Sequence, residues 1–385
     1  MLIDFRYPYE EFKSGYFEKK PLLLEGAFTP PEQPIRIIDD ALDVVDPDET
    51  YLKVLKNAER IDQRLLIEEY TDIGIRRRRL RKDALYRCLA DDASLVLNRI
   101  DLYSQAVSDI CLQVSRFARA QASANAYLSF GREPATDIHW DRHDIFAVQL
   151  FGEKRWQIYE PTFALPLNSQ VSAEKKAQAP QAPMLDIILK AGDVLYLPRG
   201  WWHKVEPVDN RPTFHLAVGA HTPLLLDYLV WACGNKLPDH LAFRKSVNGI
   251  ETGDGQLEQA IAVLADILAN PATLQDFRRR AQSRERVNGH ASLSDVFLPP
   301  SPDAAHCRVL QVNSRYAPDG STIVVNGQRH VLTTAERLAV DFIASHPGST
   351  AGDVADAIAA HGVVDAAGIL AALLRRDIVS PLVDG

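Results

Sequence analysis

The stretch TDIHWDRHD, residues 136–144, concentrates side chains that can bind a divalent metal ion. The five candidates are Asp137, His139, Asp141, His143 and Asp144. The first four alternate along the chain, and alternate side chains of an extended strand share one face. His139 and Asp141 could therefore hold an ion together, as could Asp137 with His139 or Asp141 with His143. The His-x-Asp pattern alone is a weak signal for a metal site, because short matches of this kind also arise on protein surfaces.

A further candidate ligand, His203, lies some sixty residues further on in the segment LPRGWWHKV. It follows a strand-like run and a tight Pro-Arg-Gly turn, and aromatic residues surround it. Two histidines and one carboxylate form the facial triad of non-haem Fe(II) oxygenases, which leaves one face of the ion open for an oxidant and a co-substrate. Zinc also accepts such ligands. The structural alternative is that His203 is a core histidine whose ring is satisfied by backbone hydrogen bonds.

Four segments of the chain resemble the cupin-type JmjC oxygenases, and within them the ribosomal-oxygenase branch. They are YFEKKPLLLEGAF, NAYLSFG, HWDRHDIFAVQLFGEKRWQIYEP and GDVLYLPRGWWHKV. The third segment resembles the family signature H-x-D…Q-x-x-G-x-K-x-W, and the fourth resembles the segment that bears the last metal ligand. The resemblance covers about residues 15–222. It implies a double-stranded β-helix, the jelly-roll barrel of the cupins.

The resemblance selects among the candidate ligands. The family places the basic residue that binds the oxoacid fifteen positions after the first histidine ligand. Lys154 is fifteen positions after His139, whereas the residue fifteen positions after His143 is Ile158, which cannot bind an anion. Lys154 is therefore implied to bind 2-oxoglutarate. The implied Fe(II) ligands are His139, Asp141 and His203.

The same resemblance implies roles for residues around the centre. Asn125 and Tyr127, fourteen and twelve positions before the first ligand, resemble the polar residues that line the co-substrate pocket. His215 lies on the last strand, where the branch places a polar residue near the oxoacid. Three acidic or imidazole side chains remain for supporting the ligands, facing the substrate or lying on the surface: Asp137, His143 and Asp144. Four tryptophans are expected to pack the barrel or line its mouth: Trp140, Trp156, Trp201 and Trp202.

The activity that the resemblance implies is hydroxylation of an unactivated carbon, coupled to conversion of 2-oxoglutarate into succinate and carbon dioxide. Members of the branch act on protein side chains, notably arginine or histidine of ribosomal proteins. JmjC relatives elsewhere demethylate lysines, a reaction that begins with the same hydroxylation. Two alternatives remain open at this point. One is hydroxylation of a small peptide or peptide natural product, and the other is a non-catalytic cupin binding module.

The order of predicted elements divides the 385 residues into three sections of an α+β protein. Residues 1–222 form the catalytic JmjC section, with a helix from 101 and several short strands. In DIFAVQLFGEKRWQIYEP two strands meet at Gly152 and Glu153, which predicts a hairpin-like break. Residues 223–300 have helical periodicity, which fits a dimerisation element or a cap on the barrel, and they are predicted to mediate a homodimer. Residues 301–385 follow the strand, three helices and strand of a small winged-helix-like domain.

The charge distribution sets limits on the partners. The formal net charge is −8, so the whole chain is not built to bind polyanions. One segment departs from this balance: RRRRLRK, residues 76–82, which predicts a solvated helix face, a partner for nearby acidic residues, or a docking patch for RNA or an acidic protein. Residues 321–385 carry four Lys/Arg against seven Asp/Glu, a balance of 4 − 7 = −3. Direct nucleic-acid binding by the terminal domain is therefore not expected.

Cysteine usage and hydropathy bear on the compartment. Four widely spaced cysteines show no pairing pattern of a disulfide framework or a cysteine zinc site. No apolar run reaches the roughly 18 residues of a membrane span, and the N-terminal segment lacks the apolar core of a signal peptide. The sequence therefore predicts a protein of the reducing cytoplasm with no membrane partner.

Overall fold

A computed structural model describes residues 1–47, 50–131, 136–250, 253, 255–287, 293 and 305–382. The chain divides into two units by its internal contacts. The first comprises Met1–His221, Val287–Ala317 and Thr333–Gly385, and the second comprises Thr222–Arg286 and Pro318–Leu332. The three-section division inferred from the sequence stays a prediction.

The strands of the described residues are short and mostly antiparallel to their neighbours. In chain order they are β1 (Leu22–Leu24), β2 (Leu52–Lys56), β3 (Glu59–Arg60), β4 (Ile67–Asp72), β5 (Ile75–Leu80), β6 (Ser94–Leu97), β7 (Gln121–Ser129), β8 (Asp144–Phe151), β9 (Glu153–Tyr159), β10 (Leu185–Lys190), β11 (Val194–Leu197), β12 (Trp202–Pro207), β13 (Thr213–His221), β14 (Leu310–Val312), β15 (Thr322–Val325), β16 (Gln328–Val331) and β17 (Val379–Pro381).

The helices cluster before the barrel, in the second unit and near the C-terminus. They are α1 (Tyr9–Gly15), α2 (Arg36–Val44), α3 (Lys82–Ala90), α4 (Gln105–Ala118), α5 (Leu225–Asn235), α6 (Leu241–Arg244), α7 (Gln256–Ala269), α8 (Pro271–Arg284), α9 (Thr334–Ser345), α10 (Ala351–Ala359) and α11 (Ala366–Arg375). Among the helices described, none is long and apolar enough to span a membrane.

Two facing sheets form the barrel of the first unit. The larger has the strand order β1-β11-β8-β13-β7-β6-β2-β3, and the smaller has the order β10-β9-β12. Between them lies an apolar layer to which Ala147 and Leu195 contribute from the large sheet and Trp156 and Leu189 from the small one. Side chains of a strand alternate between faces, so the neighbouring residue Phe146 points the other way, into the core that also contains residues of α4. The mixed helix and antiparallel-strand content confirms the predicted α+β class.

The break at Gly152 is a corner between sheets, and the predicted hairpin was wrong. Strands β8 and β9 were recognised correctly from the sequence, but β8 pairs with β11 and β13, whereas β9 pairs with β10 and β12. Gly152 has a φ of +66°, and a Cβ at this position would lie 2.4 Å from the Pro212 carbonyl oxygen. A glycine is therefore required where the chain passes from one sheet to the other.

The basic segment 76–82 lies mainly on a strand, so its interpretation as a helix face was wrong for most of its length. Strands β4 and β5 form a separate two-stranded sheet. The arginines of β5 pair with acidic side chains nearby, as one of the sequence interpretations proposed. The closest contacts are Arg76–Glu69 at 2.9 Å, Arg78–Asp46 at 2.9 Å, Arg79–Glu68 at 2.8 Å and Arg77–Asp72 at 3.3 Å.

Near the C-terminus, the predicted three helices and final strand are confirmed as α9, α10, α11 and β17. Strand β17 pairs antiparallel with β14. A buried hydrogen bond joins this part of the first unit to α4, because Gln311 Nε2 donates to Asp109 Oδ1 at 2.6 Å. The winged-helix description and the expected lack of nucleic-acid binding stay predictions.

Candidate metal centre

Three side chains of the barrel bring their ligand atoms together. The ligand atoms of His139, Asp141 and His203 all lie within 4.8 Å of one another, and the described residues contain no other such group of histidine, cysteine or acidic side chains. The two histidines face each other across an isolated antiparallel bridge. In that bridge the His203 N–H donates to the His139 carbonyl at 2.8 Å, and the His139 N–H donates back at 3.1 Å.

Backbone carbonyls fix the orientation of both imidazoles. Nδ1 of His139 lies 2.8 Å from the carbonyl oxygen of Asp137, and Nδ1 of His203 lies 3.1 Å from that of Trp201. A carbonyl oxygen can only accept, so Nδ1 carries the proton and Nε2 keeps its lone pair for a metal. Both Nε2 atoms face Asp141 Oδ2, at 4.0 Å from His139 and 3.5 Å from His203.

The charge states of the group suit a divalent cation at neutral pH. Burial, together with the neighbouring His139, lowers the pKa of His203 to about 4, so its imidazole is neutral. Burial alone would raise the pKa of Asp141, but His139 and His203 lower it below its usual value, so its carboxylate is ionised. The two imidazoles and the carboxylate are the side-chain types of a two-histidine, one-carboxylate metal site.

Lys154 occupies the barrel interior beside this centre. Its side chain is 2% exposed, and its Nζ lies 2.7 Å from Nδ1 of His215 and donates to the Tyr127 carbonyl at 3.3 Å. Burial lowers the pKa of Lys154 to about 7. Burial and then Lys154 itself lower the pKa of His215 well below its usual value, so the imidazole next to the ammonium is neutral. Neither the neutral imidazole nor the carbonyl balances the positive charge of the lysine, whereas a bound carboxylate would balance it.

Strand register explains why these residues meet. His215 of β13 lies opposite Tyr127 of β7 and opposite Gln149 of β8. The Tyr127 and His215 rings stack with centroids 5.1 Å apart. Trp156 joins this group to the metal centre, because its ring lies 5.6 Å from His215 and 5.7 Å from His203. The sequence-predicted Lys154, Tyr127 and His215 therefore form one cluster.

Asn125 lies on the same strand as Tyr127, two positions earlier, and is half-buried. Its Oδ1 accepts a hydrogen bond from the Arg99 backbone N–H at 3.0 Å. Its predicted contact with the co-substrate stays a prediction. The four tryptophans predicted to pack the barrel are all buried: Trp140, Trp156, Trp201 and Trp202.

The side chains of the three other candidates in TDIHWDRHD, namely Asp137, His143 and Asp144, do not hydrogen-bond to the ligand histidines. Asp137 supports His139 through its backbone carbonyl, while its carboxylate pairs with Lys176. The ring of His143 lies 4.6 Å from that of His221. Asp144 is buried and accepts hydrogen bonds from Tyr196 and Arg199, so it is not a surface residue.

Sequence reasoning missed the supporting role of Gln149, the glutamine of the Q-x-x-G-x-K-x-W pattern. It is fully buried, and its Nε2 donates to the Phe151 carbonyl at 2.8 Å and to Thr213 Oγ1 at 2.8 Å. These bonds hold the corner at Gly152 from which Lys154 enters the barrel. The glutamine was visible in the motif, but its partner Thr213 lies 64 residues away, which no local pattern could show.

Comparison with known proteins supports the interpretation of the barrel as a JmjC domain. Residues 96–228 match the model of the JmjC domain family. Over 119 residues, 31% of this chain, the chain is 32% identical to a Drosophila persimilis protein named bifunctional lysine-specific demethylase and histidyl-hydroxylase NO66. It is also 32% identical over 103 residues, 26% of this chain, to ribosomal oxygenase 1 of Gallus gallus. This chain spans only 17% of the length of each of these two relatives.

Solved structures extend the likeness to the whole chain at the level of the fold. The crystal structure of Escherichia coli ribosomal oxygenase YcfD superposes with a TM-score of 0.56 and 17% identity, covering 99% of this chain and 100% of that one. YcfD in complex with cobalt and 2-oxoglutarate gives a TM-score of 0.53 and 17% identity, covering 97% of this chain and 98% of that one. Residues 96–228 therefore match the JmjC domain family and contain the histidine and carboxylate cluster, and the chain as a whole shares its fold with the YcfD structures.

Proposed function

We propose that the chain is an Fe(II)- and 2-oxoglutarate-dependent oxygenase that hydroxylates a side chain of a ribosomal protein, arginine or histidine. One observation carries the proposal. The His139, Asp141 and His203 ligand atoms converge beside a buried lysine whose neighbours leave its charge unbalanced. A site built to bind one divalent metal and one carboxylate in the same barrel fits an oxoacid that chelates the metal.

The residues present fit both groups. His139, Asp141 and His203 would hold Fe(II), and three protein ligands leave positions open for a co-substrate and an oxidant. Lys154 would hold the far carboxylate of 2-oxoglutarate, with Tyr127 and His215 packed around it. When bound, iron and 2-oxoglutarate supply oxidation of a carbon–hydrogen bond coupled to decarboxylation.

The protein supplies orientation and a dry environment. The carbonyls of Asp137 and Trp201 hold the two imidazoles in the tautomer that binds metal. Trp156 and Trp202 are 2% and 0% exposed and exclude water from the small sheet behind His203. Lys154 fixes which end of the oxoacid faces the metal, because its ammonium can pair with the distal carboxylate only when the keto-acid end points toward the three ligands.

The substrate class is inferred from the named relatives. The Drosophila relative is named a histidyl-hydroxylase and the chicken relative a ribosomal oxygenase, and YcfD is described as a ribosomal oxygenase. A protein side chain is also consistent with a site whose Asp141 is 30% exposed at the barrel surface.

The first test measures turnover of 2-oxoglutarate to succinate by the purified chain with Fe(II) and a reductant. His139→Ala removes one of three ligands and is expected to abolish turnover, while circular dichroism shows the fold retained. His361→Ala, which removes an exposed histidine outside the barrel, is the matched control and should turn over like the wild type. Iron-dependent turnover by His139→Ala at the wild-type rate would refute the ligand assignment.

The second test concerns the substrate. Ribosomal proteins from cells that lack the chain are incubated with the purified protein, Fe(II) and 2-oxoglutarate, and are then analysed by mass spectrometry. Gain of one oxygen atom on an arginine or histidine is expected, and only with the wild-type chain. Modification confined to small peptides, or turnover without any modified protein, would contradict the ribosomal substrate while leaving the oxygenase chemistry intact.

A further inference from the structure

A buried polar network joins the N-terminal segment to the loop that precedes His203. The loop Pro198–Gly200 carries the chain from β11 in the large sheet to β12 in the small sheet. Two backbone N–H groups of this loop are held by residues of the segment 139–144, which contains the metal-ligand candidates His139 and Asp141. The Arg199 N–H donates to Asp144 Oδ1 at 3.0 Å, and the Gly200 N–H donates to the Asp141 carbonyl at 3.1 Å.

The side chain of Arg199 reaches the opposite way, to Glu18. The Arg199 side chain is 8% exposed, and its Nη2 lies 2.7 Å from Glu18 Oε1. Glu18 belongs to the motif YFEKKPLLLEGAF, to which the proposed reaction gives no role. The contact closes a ring of four residues, because the Glu18 backbone N–H donates to Tyr196 Oη at 3.0 Å and Tyr196 donates to Asp144 Oδ2 at 2.8 Å.

Glu18 adopts a backbone conformation that a glutamate rarely takes. Its φ is +56°, in the left-handed region that costs a residue with a Cβ about 1 kcal/mol or more. Such a conformation persists when surrounding contacts determine it, and it is often associated with a functional constraint. Here the left-handed turn lets Glu18 present its N–H to Tyr196 and its carboxylate to Arg199 at the same time.

The ion pair is buried on one side only, because the Arg199 side chain is 8% exposed and the Glu18 side chain is 31% exposed. Burying the guanidinium costs free energy that the pair must offset, and apolar replacements of buried ion pairs are often equally stable. The ion pair between Glu18 and Arg199 fixes the position of the Pro198–Gly200 loop, which a less directional apolar contact would leave free. That loop is bonded to the carbonyl of Asp141 and enters the strand of His203, so its position sets the spacing between two metal ligands.

We propose that Glu18 and Arg199 are positioning residues of the metal centre. They hold the Pro198–Gly200 loop so that Asp141 and His203 present their ligand atoms at the spacing the metal requires. The N-terminal segment therefore supports the geometry of the metal site, although it contributes no ligand. The inference depends on the proposed metal site, and its test uses metal binding in addition to activity.

The test measures binding of Co(II), an ion whose visible absorption reports its ligand geometry. Arg199→Met is expected to weaken Co(II) binding about tenfold, the scale of supporting contacts in metal sites, and to alter the absorption of the bound ion. Glu18→Gln keeps an acceptor for Arg199 but removes the charge, so a smaller weakening is expected. Arg199→Lys, which restores the charge, should recover most of the affinity. In turnover, kcat should fall more than the KM for 2-oxoglutarate changes.

A matched control separates positioning from general stability. Arg155 and Asp186 form an exposed ion pair between β9 and β10, next to Lys154 but not connected to the loop. Asp186→Asn should leave Co(II) affinity and absorption unchanged. If Arg199→Met and Glu18→Gln lower the melting temperature but bind Co(II) with wild-type affinity and absorption, the pair is only structural and the inference is wrong. If Arg199→Met does not fold, the Glu18→Gln result decides. Failure of the wild type itself to bind Co(II) would instead refute the proposed metal site.

Discussion

The buried charge of Lys154 is costly to the folded protein, and it is the feature from which co-substrate binding is proposed. The ammonium is surrounded by the barrel interior, and its polar neighbours are the His215 imidazole and the Tyr127 carbonyl. Burial without an anionic partner disfavours the charged form, which is why the pKa falls to about 7. A dianionic co-substrate would reverse that penalty by providing the missing carboxylate.

We expect Lys154→Met to weaken 2-oxoglutarate binding by roughly ten- to hundredfold, because a charge-assisted hydrogen bond contributes about 1.5–3 kcal/mol. Metal binding should change little, since Lys154 is not a ligand. Isothermal titration with 2-oxoglutarate in the presence of Co(II) measures the affinity. Lys190→Met, which removes an exposed lysine from the neighbouring strand β10, is the matched control. An unchanged affinity in Lys154→Met would remove Lys154 from the co-substrate site.

The same residue predicts a pH dependence of stability without co-substrate. Between about pH 7 and the usual lysine pKa near 10.5, the unfolded chain binds a proton that the folded protein does not. The contribution of Lys154 to the free energy of unfolding therefore rises with pH across this range. Below pH 7 the folded protein carries the full cost of the buried ammonium. Urea denaturation at pH 6 and pH 9 should show this rise in the wild type and a smaller one in Lys154→Met.

At this scale the sequence predicted residue types better than their partners. The spacing of His139, Asp141 and His203 suggested a metal site because ligand chemistry restricts the choice of side chains. The role of Asp144 could not be predicted in the same way. In the sequence it was one more candidate metal ligand. Only the fold shows that its Oδ1 accepts a hydrogen bond from the backbone N–H of Arg199, 55 residues away. Hydrogen bonds between distant segments leave no periodic trace in a sequence.

At the scale of elements, strands were easier to recognise than their pairing. The segments DIFAVQLF and EKRWQIY were correctly recognised as the strands β8 and β9, but a glycine between two strands fits both a hairpin and a corner. The decision depends on the carbonyl of Pro212, which packs against Gly152. Composition also misled at 76–82, where a run of arginines suggested a helix face. Glu68 and Glu69 on the preceding strand β4 pair with arginines of this segment, which forms the second strand of a hairpin.

The hairpin of β4 and β5 ends in an unusual turn that supports a stability prediction. The two-residue loop is Ile73-Gly74, with φ values of +47° and +76°, as a type I′ turn requires. Isoleucine is disfavoured there because its branched Cβ crowds the backbone. Ile73 is 94% exposed, so it gains little from burial. Ile73→Asn should raise the free energy of unfolding by about 1 kcal/mol, because asparagine tolerates the left-handed region.

Urea denaturation of the full chain measures this effect. Ile75→Asn is the matched control, since it makes the same replacement at an exposed position of the adjoining strand. There the backbone is extended and asparagine is a poorer strand residue than isoleucine, so no gain is expected. A loss of stability in Ile73→Asn equal to that of Ile75→Asn would show that the turn conformation does not limit stability at this site.

At the scale of the whole molecule, the second unit leaves apolar side chains in water. Helix α7 is rich in leucine, isoleucine and alanine, yet none of its residues is buried. Leu257 and Ile261 lie four residues apart on one face and are 57% and 58% exposed, and Val230 of α5 is 66% exposed. Apolar helix faces of this kind are usually covered by a partner. A second copy of the chain is the partner that the sequence analysis predicted.

We therefore expect a homodimer formed through the second unit. Light scattering at micromolar concentration should give a mass of about twice 42.9 kDa for the wild type. Ile261→Asp places a charge in the apolar face and should shift the mass toward that of the monomer, because burying an unpaired carboxylate is costly. Gln259→Asp adds the same charge at an exposed polar position of the same helix and should leave the dimer intact. A wild-type mass near 42.9 kDa would rule the dimer out, and equal dissociation in both variants would mean that net charge, not the apolar face, controls association.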